Sequence, residues 1–264
     1  EEEIAYARIL NACLPASIRV LAWAPVGLDF SARHACTRRT YKYFFPKGSL
    51  SIEAMELAAG SLVGEHDFRF FAKVPARAER EQTLPTVRTI HAVSIQPLGG
   101  AEGGFQMFLL TVAGSGFLWH QVRNIVAVLL RVGAGLEEPS ITQLLLQPAS
   151  FTSRPSYAPA WELPLCLYRA EYEGSDLDWH WDTAEGLASA VGKLQAAWAE
   201  AEIKARMLRA MLDALPGAGK AEQQHLVLSR EVSRGGQLAP RKIRCPDTLE
   251  PNAKKPRHDS HQPQ

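Results

Sequence analysis

The clearest pattern in the chain is a run of apolar residues at positions 116–131 that has one arginine, Arg123, in its middle. Apolar side chains recur there at helical spacing and also cover the other sides: Leu118, Val122, Ile125, Val126, Val128, Leu129 and Leu130. A helix that is apolar almost all round is normally buried. The pattern therefore predicts a buried helix that carries a single guanidinium.

Arg123 poses an electrostatic problem for such a helix. A buried guanidinium needs a counter-charge, unless its alkyl stem carries it to the edge of the core. The positions one turn away, which are Trp119, His120, Val126 and Ala127, hold no carboxylate. Two interpretations stay open: Arg123 reaches solvent, or an acid from elsewhere in the fold pairs with it, as in many active sites.

The other apolar patterns alternate between helical and extended spacing. Helices are expected at 4–14, 51–63, 141–146 and 187–215. Strands are expected at 18–26, 40–45, 87–96, 105–113 and 165–172. From residue 40 the order is therefore strand, helix, strand, strand, helix, strand. This order predicts an α+β fold of the ferredoxin-like, split βαβ type, in which an antiparallel sheet has helices on one face.

Composition narrows the classes of site and partner. The 264 residues carry a formal net charge of +1, so the total charge indicates no partner. The four cysteines are scattered without a close pair, which argues against a zinc site or a disulfide framework. No apolar run is long enough to cross a membrane, because Arg123 and Arg131 interrupt the best candidate. Neither a dinucleotide fingerprint nor a metal-binding cluster is visible.

The chain changes character after residue 181. A helix with strong helix formers is expected up to Pro216, and residues 217–264 are expected to be mostly disordered because apolar residues thin out. This tail contains a set of cations: Arg241, Lys242, Arg244, Lys254, Lys255 and Arg257. Such a stretch could contact phosphates, act as a nuclear address or simply be solvated.

Basic and aromatic residues are mixed in the approach to the first regular strand. Arg33, Arg38 and Arg39 precede or begin it, and Tyr41 shares one of its faces with Tyr43. Aromatic rings beside arginines suit the stacking of an unpaired base and contact with its phosphates. A half-buried aromatic strand with a solvated basic approach would give the same pattern.

His66 and Asp67 follow the second helix, next to Gly64, which suits a helix end. The two side chains could pair with each other. Neighbours of this kind more often fix a loop than carry chemistry, so both interpretations stay open.

Six segments, in this order, resemble the TruA family of tRNA pseudouridine synthases. They are Phe-Ser-Ala-Arg at 30–33, Arg-Thr-Tyr-Lys-Tyr at 39–43, Gly-Glu-His-Asp-Phe at 64–68, Phe-Leu-Trp-His-Gln-Val-Arg-Asn-Ile at 117–125, Tyr-Ala-Pro-Ala at 157–160 and Pro-Leu-Cys-Leu-Tyr at 164–168. Each segment is unspecific alone, but the ordered set is specific. The resemblance covers residues 9–215, and the helix around 198–212 is similar to the eukaryotic branch that acts on tRNA positions 38 and 39.

The resemblance implies an enzyme that isomerises uridine to pseudouridine in the anticodon arm of tRNA, with no cofactor and no metal. The target nucleotide must leave its stack before side chains can reach it. By resemblance, Tyr41 lies against the flipped base and Arg123 pairs with the catalytic aspartate. Arg33, Arg38 and Arg39 are expected phosphate contacts. The implied partner is tRNA, with no membrane, and a homodimer is possible because family members are often dimers.

The chain departs from the family at the nucleophile. That residue is an aspartate in an Arg-Thr-Asp type motif, and no aspartate of this chain lies in such a motif. We therefore expect an N-terminally truncated chain that is inactive alone: 1–30 is the remnant of the nucleophile-bearing domain, 31–180 the C-terminal synthase domain, 181–216 a helical extension and 217–264 a disordered basic tail. A smaller departure is Trp161-Glu162, where many relatives have a small residue and glycine.

Two alternatives remain beside the enzyme. The chain could be a non-catalytic RNA-binding protein that keeps the basic, aromatic surface, or an inactive fragment that does not fold alone. Localisation is expected in the nucleus or the cytoplasm, and the basic tail favours the nucleus.

Overall fold

The computed structural model describes residues 4–73, 85–99, 105–151, 155–172 and 177–216. The helices are α1 (Tyr6–Cys13), α2 (Ile52–Gly60), α3 (Gln121–Gly133), α4 (Ile141–Leu145) and α5 (Ala184–Asp213). The strands are β1 (Ala22–Trp23), β2 (Arg38–Pro46), β3 (Gly64–Asp67), β4 (Val87–Pro97), β5 (Met107–Gly114), β6 (Leu165–Glu171) and β7 (His180–Trp181). Single 3₁₀ turns lie at Arg69–Phe71 and Pro148–Ser150.

The described residues form two compact units. Those up to Arg39 and from Arg169 onward form one unit, and those between Thr40 and Tyr168 form the other. The chain passes from one unit to the other within β2 and again within β6. The division expected from the sequence, with boundaries at residues 30 and 180, stays a prediction. The expected disordered tail at 217–264 lies outside the described residues.

The larger unit is built on a five-stranded sheet with the spatial order β3-β4-β5-β2-β6. Leaving out β3 and the short helix α4, the chain order is β2, α2, β4, β5, α3, β6, which is the split βαβ arrangement. β4 pairs with β5 in antiparallel register, and Val93 lies opposite Val112. The α+β fold expected from the sequence is confirmed.

The core of the larger unit lies where α2 meets α3. Ser51 caps α2 as expected, because its hydroxyl accepts a hydrogen bond from the Ala54 amide at 3.2 Å. The two helices touch at Gly133 of α3, where an added Cβ would lie only 2.6 Å from the sulfur of Met55 in α2. The absence of a side chain at this position is therefore what lets the two helices approach.

Two elements differ from the sequence expectation. The strand expected at 18–26 is wrong except for β1, because the side chain of Asn11 satisfies the Val20 backbone instead: its amide nitrogen donates to the Val20 carbonyl and its oxygen accepts from the Val20 amide, each at 2.8 Å. Conversely, residues 64–67 were not expected to be a strand. They form β3, an edge strand that pairs antiparallel with β4.

α5 is a 30-residue helix that begins at the side-chain cap of Thr183, whose hydroxyl accepts from the Gly186 amide at 3.1 Å. Among its described residues only Ala190 is buried. Its large apolar side chains are instead exposed, among them Val191, Leu194, Trp198, Leu208 and Leu212. A helix of this length normally owes its stability to packing of its apolar face.

Candidate active site

Arg123 lies in the first turn of α3, and its guanidinium is held by the segment 160–162. Its Nε donates to the Ala160 carbonyl at 2.7 Å, and its Nη2 donates to Oε2 of Glu162 at 3.0 Å. The Ala160 amide in turn donates to the Arg123 carbonyl at 3.1 Å. The Arg123 side chain is 20% exposed, so it does not extend freely into solvent. Arg123 is therefore paired with an acid from elsewhere in the fold, and its expected place in an active site stays a prediction.

The counter-charge comes from Glu162, which sequence reasoning marked only as a departure from the family. Glu162 is itself 58% exposed, so this ion pair lies at the surface end of the guanidinium. In the described part of the chain, Nη1 of Arg123 makes no hydrogen bond. One edge of the guanidinium is thus fixed by the protein, and the other edge can donate hydrogen bonds to a further carboxylate.

The segment that holds Arg123 is itself anchored to the 3₁₀ turn. The Tyr157 hydroxyl donates to the Phe70 carbonyl at 2.6 Å, and the buried Asn124 amide donates to the Phe71 carbonyl at 2.7 Å. The two side chains thus bind neighbouring carbonyls of one short backbone stretch. Arg123 is therefore positioned by two chain segments that each bond to the same turn.

The helix around Arg123 begins later than the sequence predicts. Helix was expected from residue 116, but α3 starts at Gln121, because His120 adopts a left-handed backbone conformation with φ of 63°. The buried Gln121 side chain accepts a hydrogen bond from the Leu118 amide at 2.7 Å and so closes the turn. Trp119 and His120 therefore precede the helix instead of lying on it.

Tyr41 lies on β2 with its ring against Phe117. The two ring centroids are 5.2 Å apart at an interplanar angle of 87°. Tyr41 is half-buried, whereas Tyr43 and Phe45 on the same face are buried, as the alternation predicts. The position of Phe117 is tightly defined, since its Cζ would lie 3.1 Å from a Cβ added to Gly114. Tyr41 thus contacts the segment that directly precedes α3.

The three arginines expected at phosphates lie in the smaller unit. Arg33 is exposed, Arg38 and Arg39 are half-buried, and Arg39 donates to the carbonyl of Arg33. The structure therefore brings Arg33 and Arg39 together. Arg38 and Arg39 begin β2, the strand that continues to Tyr41.

His66 and Asp67 do not pair. His66 Nε2 lies 3.0 Å from the Val63 carbonyl, and Asp67 instead binds Arg69, with 2.6 Å between Oδ2 and Nη2. Burial alone would raise the pKa of Asp67, but hydrogen bonds from Arg69 and Thr86 outweigh it and lower the pKa below its ordinary value. The ion pair of Asp67 with Arg69 favours the structural interpretation, in which Asp67 fixes the turn after β3.

His120, at the start of α3, is subject to the charge of two cations. Burial lowers its pKa, and the positive charges of Arg123 and Lys73 lower it further. Both effects favour the neutral imidazole. No group of three metal-ligating side chains occurs among the residues that the structure describes, and no described helix is long and apolar enough to cross a membrane.

Comparison with known proteins matches this part of the chain to one family. The model of the tRNA pseudouridine synthase family matches residues 58–173, the stretch that contains Arg123 and Glu162. The chain is 41% identical over 218 residues to "Probable tRNA pseudouridine synthase tag-124" of Caenorhabditis elegans, which covers 82% of this chain and 54% of the relative.

Two further relatives agree. The chain is 40% identical over 220 residues to the human tRNA pseudouridine(38/39) synthase, covering 81% of this chain and 44% of the relative. It is 34% identical over 173 residues to tRNA pseudouridine synthase A of Maridesulfovibrio salexigens, covering 60% of each. The chain spans about half the length of the eukaryotic relatives. From the ordered motifs, the fold and these matches, the chain belongs to the TruA family of tRNA pseudouridine synthases.

Proposed function

We propose that the protein to which this chain belongs is a tRNA pseudouridine synthase that isomerises uridines at positions 38 and 39 in the anticodon arm. The geometry that carries the proposal is the guanidinium of Arg123, held on one edge by Ala160 and Glu162 with Nη1 left for another acid. The eukaryotic relative named for these two positions supports the choice of uridines.

The reaction is an isomerisation and balances without an oxidant or reductant. The bond between the ribose C1′ and uracil N1 breaks, a bond between C1′ and C5 forms, C5 loses its hydrogen and N1 gains one. By family resemblance an aspartate acts as the nucleophile, and Arg123 orients its carboxylate through the two-pronged hydrogen bonding that a guanidinium offers. We assign no cofactor and no metal to this chemistry.

The target base must be extruded from the stacked anticodon arm before it reacts. Tyr41 is proposed to lie against the flipped base, since its half-buried ring stands on the face of β2 whose other aromatic residues, Tyr43 and Phe45, belong to the core. Arg33, Arg38 and Arg39 are proposed to contact phosphates on the approach to that strand. Replacing any one of these arginines by alanine should reduce the slope of log affinity against log salt by about one.

The quaternary structure is proposed to be a homodimer joined through α5. The apolar side chains of this helix recur at alternating spacings of three and four residues: Leu187, Val191, Leu194, Trp198, Ala201, Ala205, Leu208 and Leu212. This is the repeat by which two copies of one helix pack as a coiled coil, and it extends over most of a helix about 45 Å long. The exposure of the large apolar side chains of this stripe from Val191 to Leu212 supports a second copy as their partner.

Two further assignments rest on sequence alone. We keep as a proposal the division into a remnant of the N-terminal domain at 1–30, a synthase domain at 31–180, a helical extension at 181–216 and a basic tail.

Nuclear residence is proposed from the tail, because its clustered lysines and arginines suit a nuclear address. Replacement of Lys254, Lys255 and Arg257 by glutamine in a fluorescent fusion should move the protein to the cytoplasm. Unchanged nuclear fluorescence would contradict the assignment.

The function is tested with the full-length protein and tRNA that carries tritium at uridine C5. Formation of pseudouridine releases this tritium into water, and chemical mapping of the product locates the modified positions. The proposal expects release from positions 38 and 39 only. Binding of tRNA without any release would instead favour the non-catalytic RNA-binding alternative, and release from other positions would contradict the assigned uridines.

A further inference from the structure

Trp119 is an exposed aromatic residue at the entrance of α3. Its side chain is 58% exposed, whereas its neighbours Leu118, Gln121 and Val122 are buried. Single exposed apolar residues are common and need no explanation by themselves. Trp119 differs because a cation lies on it: the Lys73 ammonium is 4.7 Å from the centroid of its ring. Two segments far apart in sequence thus meet at one indole.

The backbone holds this pair in place. The Lys73 amide donates to the Trp119 carbonyl at 2.9 Å, and two residues earlier the Phe71 carbonyl accepts from Asn124 of α3 at 2.7 Å. The segments 71–73 and 119–124 are therefore joined at two points. The cation and the ring meet because the fold fixes both backbones, which distinguishes them from two long side chains in chance contact.

His120 gives a second sign that the position is constrained. It is the one non-glycine residue with positive φ in the described part of the chain, at 63°. Such a conformation persists where the surroundings determine it, and it is often found at ligand sites. The His120 ring lies 4.8 Å from the Trp119 ring, tilted by 50°. Trp119 thus lies directly before a residue of constrained backbone, and its own side chain is exposed to solvent.

The charges around Trp119 favour an anion. In the described residues no carboxylate pairs with Lys73, and the neighbouring cation Arg123 has only the exposed Glu162 as its counter-ion. The first turn of α3 adds the partial positive charge of a helix N-terminus. An exposed indole within a positive field offers both a surface for a base and an attraction for a phosphate, the two groups that an unpaired nucleotide carries.

We propose that Trp119 and Lys73 form a binding site for an unpaired nucleotide of the RNA substrate, close to the target uridine. The base stacks on the indole surface that the ammonium leaves open, and the ammonium of Lys73 contacts the phosphate. This assignment rests on the proposed function, since it takes tRNA as the substrate. It adds a specificity site to the surface that includes Arg123 and Tyr41.

The test measures binding of the full-length protein to an anticodon stem-loop and to a fully paired duplex of the same stem. Trp119→Leu should weaken binding of the stem-loop by about 5- to 100-fold, because stacking of one base is lost, and should leave the duplex unchanged. Trp119→Phe keeps a ring and should retain most of the affinity. Lys73→Met should lower the slope of log affinity against log salt by about one.

Trp179→Leu is the matched control, since Trp179 is another exposed tryptophan, with 51% exposure, and has no ring contact in the described residues. Its affinity for the stem-loop should equal that of the wild type. Unchanged stem-loop binding by Trp119→Leu, or an equal loss in the Phe and Leu variants, would overturn the site. These outcomes concern binding, so they are separate from the proposed function, which fails if the wild-type protein releases no tritium.

Discussion

Arg123 and Glu162 form an ion pair of 3.0 Å in which only the arginine is largely buried. The pair joins the first turn of α3 to a segment 39 residues later in the chain. Because Nε of Arg123 donates to the Ala160 carbonyl, the plane of the guanidinium stays fixed even when water replaces the Glu162 carboxylate. Glu162 therefore supplies a solvent-exposed counter-charge to Arg123, while Ala160 sets the direction of its guanidinium.

The exposed ion pair of Glu162 and the buried hydrogen bond of Asn124 predict different stability effects for two substitutions near Arg123. Glu162→Gln should lower the free energy of unfolding by less than about 1 kcal/mol, because exposed ion pairs contribute little. Asn124→Ala should cost about 1–3 kcal/mol, since it leaves the buried Phe71 carbonyl without its donor. Urea denaturation measures both. Equal losses would contradict the distinction between the exposed pair and the buried hydrogen bond.

The contact between α2 and α3 predicts opposite effects at two helical glycines. Gly133→Ala should lower the free energy of unfolding by about 1–3 kcal/mol, because the new Cβ would collide with buried Met55. Gly192→Ala in α5, where nothing lies within 4 Å, should raise it by about 0.5–1 kcal/mol. Thermal melts of both variants decide the point. Stabilisation at Gly133 would show that the helices have room for a side chain.

Asp67 predicts a pH dependence of stability. Its pKa is lower in the folded chain than in the unfolded one, so the unfolded state binds more protons as the pH falls. The stability contributed by Asp67 is therefore complete above the unfolded pKa, near 3.8, and is lost as the pH falls through the folded pKa. The difference in unfolding free energy between wild type and Asp67→Asn should thus shrink below about pH 4. A constant difference from pH 6 to pH 3 would contradict this role.

The proposed seam on α5 predicts a change in mass. Leu194→Glu combined with Leu208→Glu places charges on the apolar stripe and should convert a dimer to a monomer in light scattering. Ser189→Glu is the control, because Ser189 is exposed and lies off the stripe. A wild-type protein that is monomeric at micromolar concentration would contradict the proposed homodimer.

The parts of the fold that the sequence predicts are those set by local periodicity. The strands β2, β4, β5 and β6 and the helix α2 follow from alternation, helical spacing and the Ser51 cap. The start of α3 does not, because it depends on the left-handed backbone of His120. The anchoring of this helix depends in addition on the contact of Asn124 with Phe71, which joins residues about fifty positions apart, and no local pattern encodes it.

The candidate site divides in the same way. That Arg123 needs a counter-charge follows from its apolar neighbours in the sequence, but the identity of Glu162 as the partner depends on how the segment after Tyr157 is anchored. Lys73 gives no signal in the sequence, because its relevance comes from lying over Trp119. The catalytic and substrate-contact roles of Tyr41, Arg33, Arg38, Arg39 and Arg123 stay predictions.

The single-turnover rate of Arg123→Lys in the full-length protein tests the central claim most directly. Lysine keeps the charge but cannot bond Ala160 and Glu162 while also presenting a fixed edge to an acid. With the tritiated tRNA we expect the rate to fall by about 10- to 100-fold, the loss of a hydrogen bond to a charged group, with affinity for tRNA and the melting curve nearly unchanged. A rate equal to that of the wild type would contradict the role assigned to Arg123.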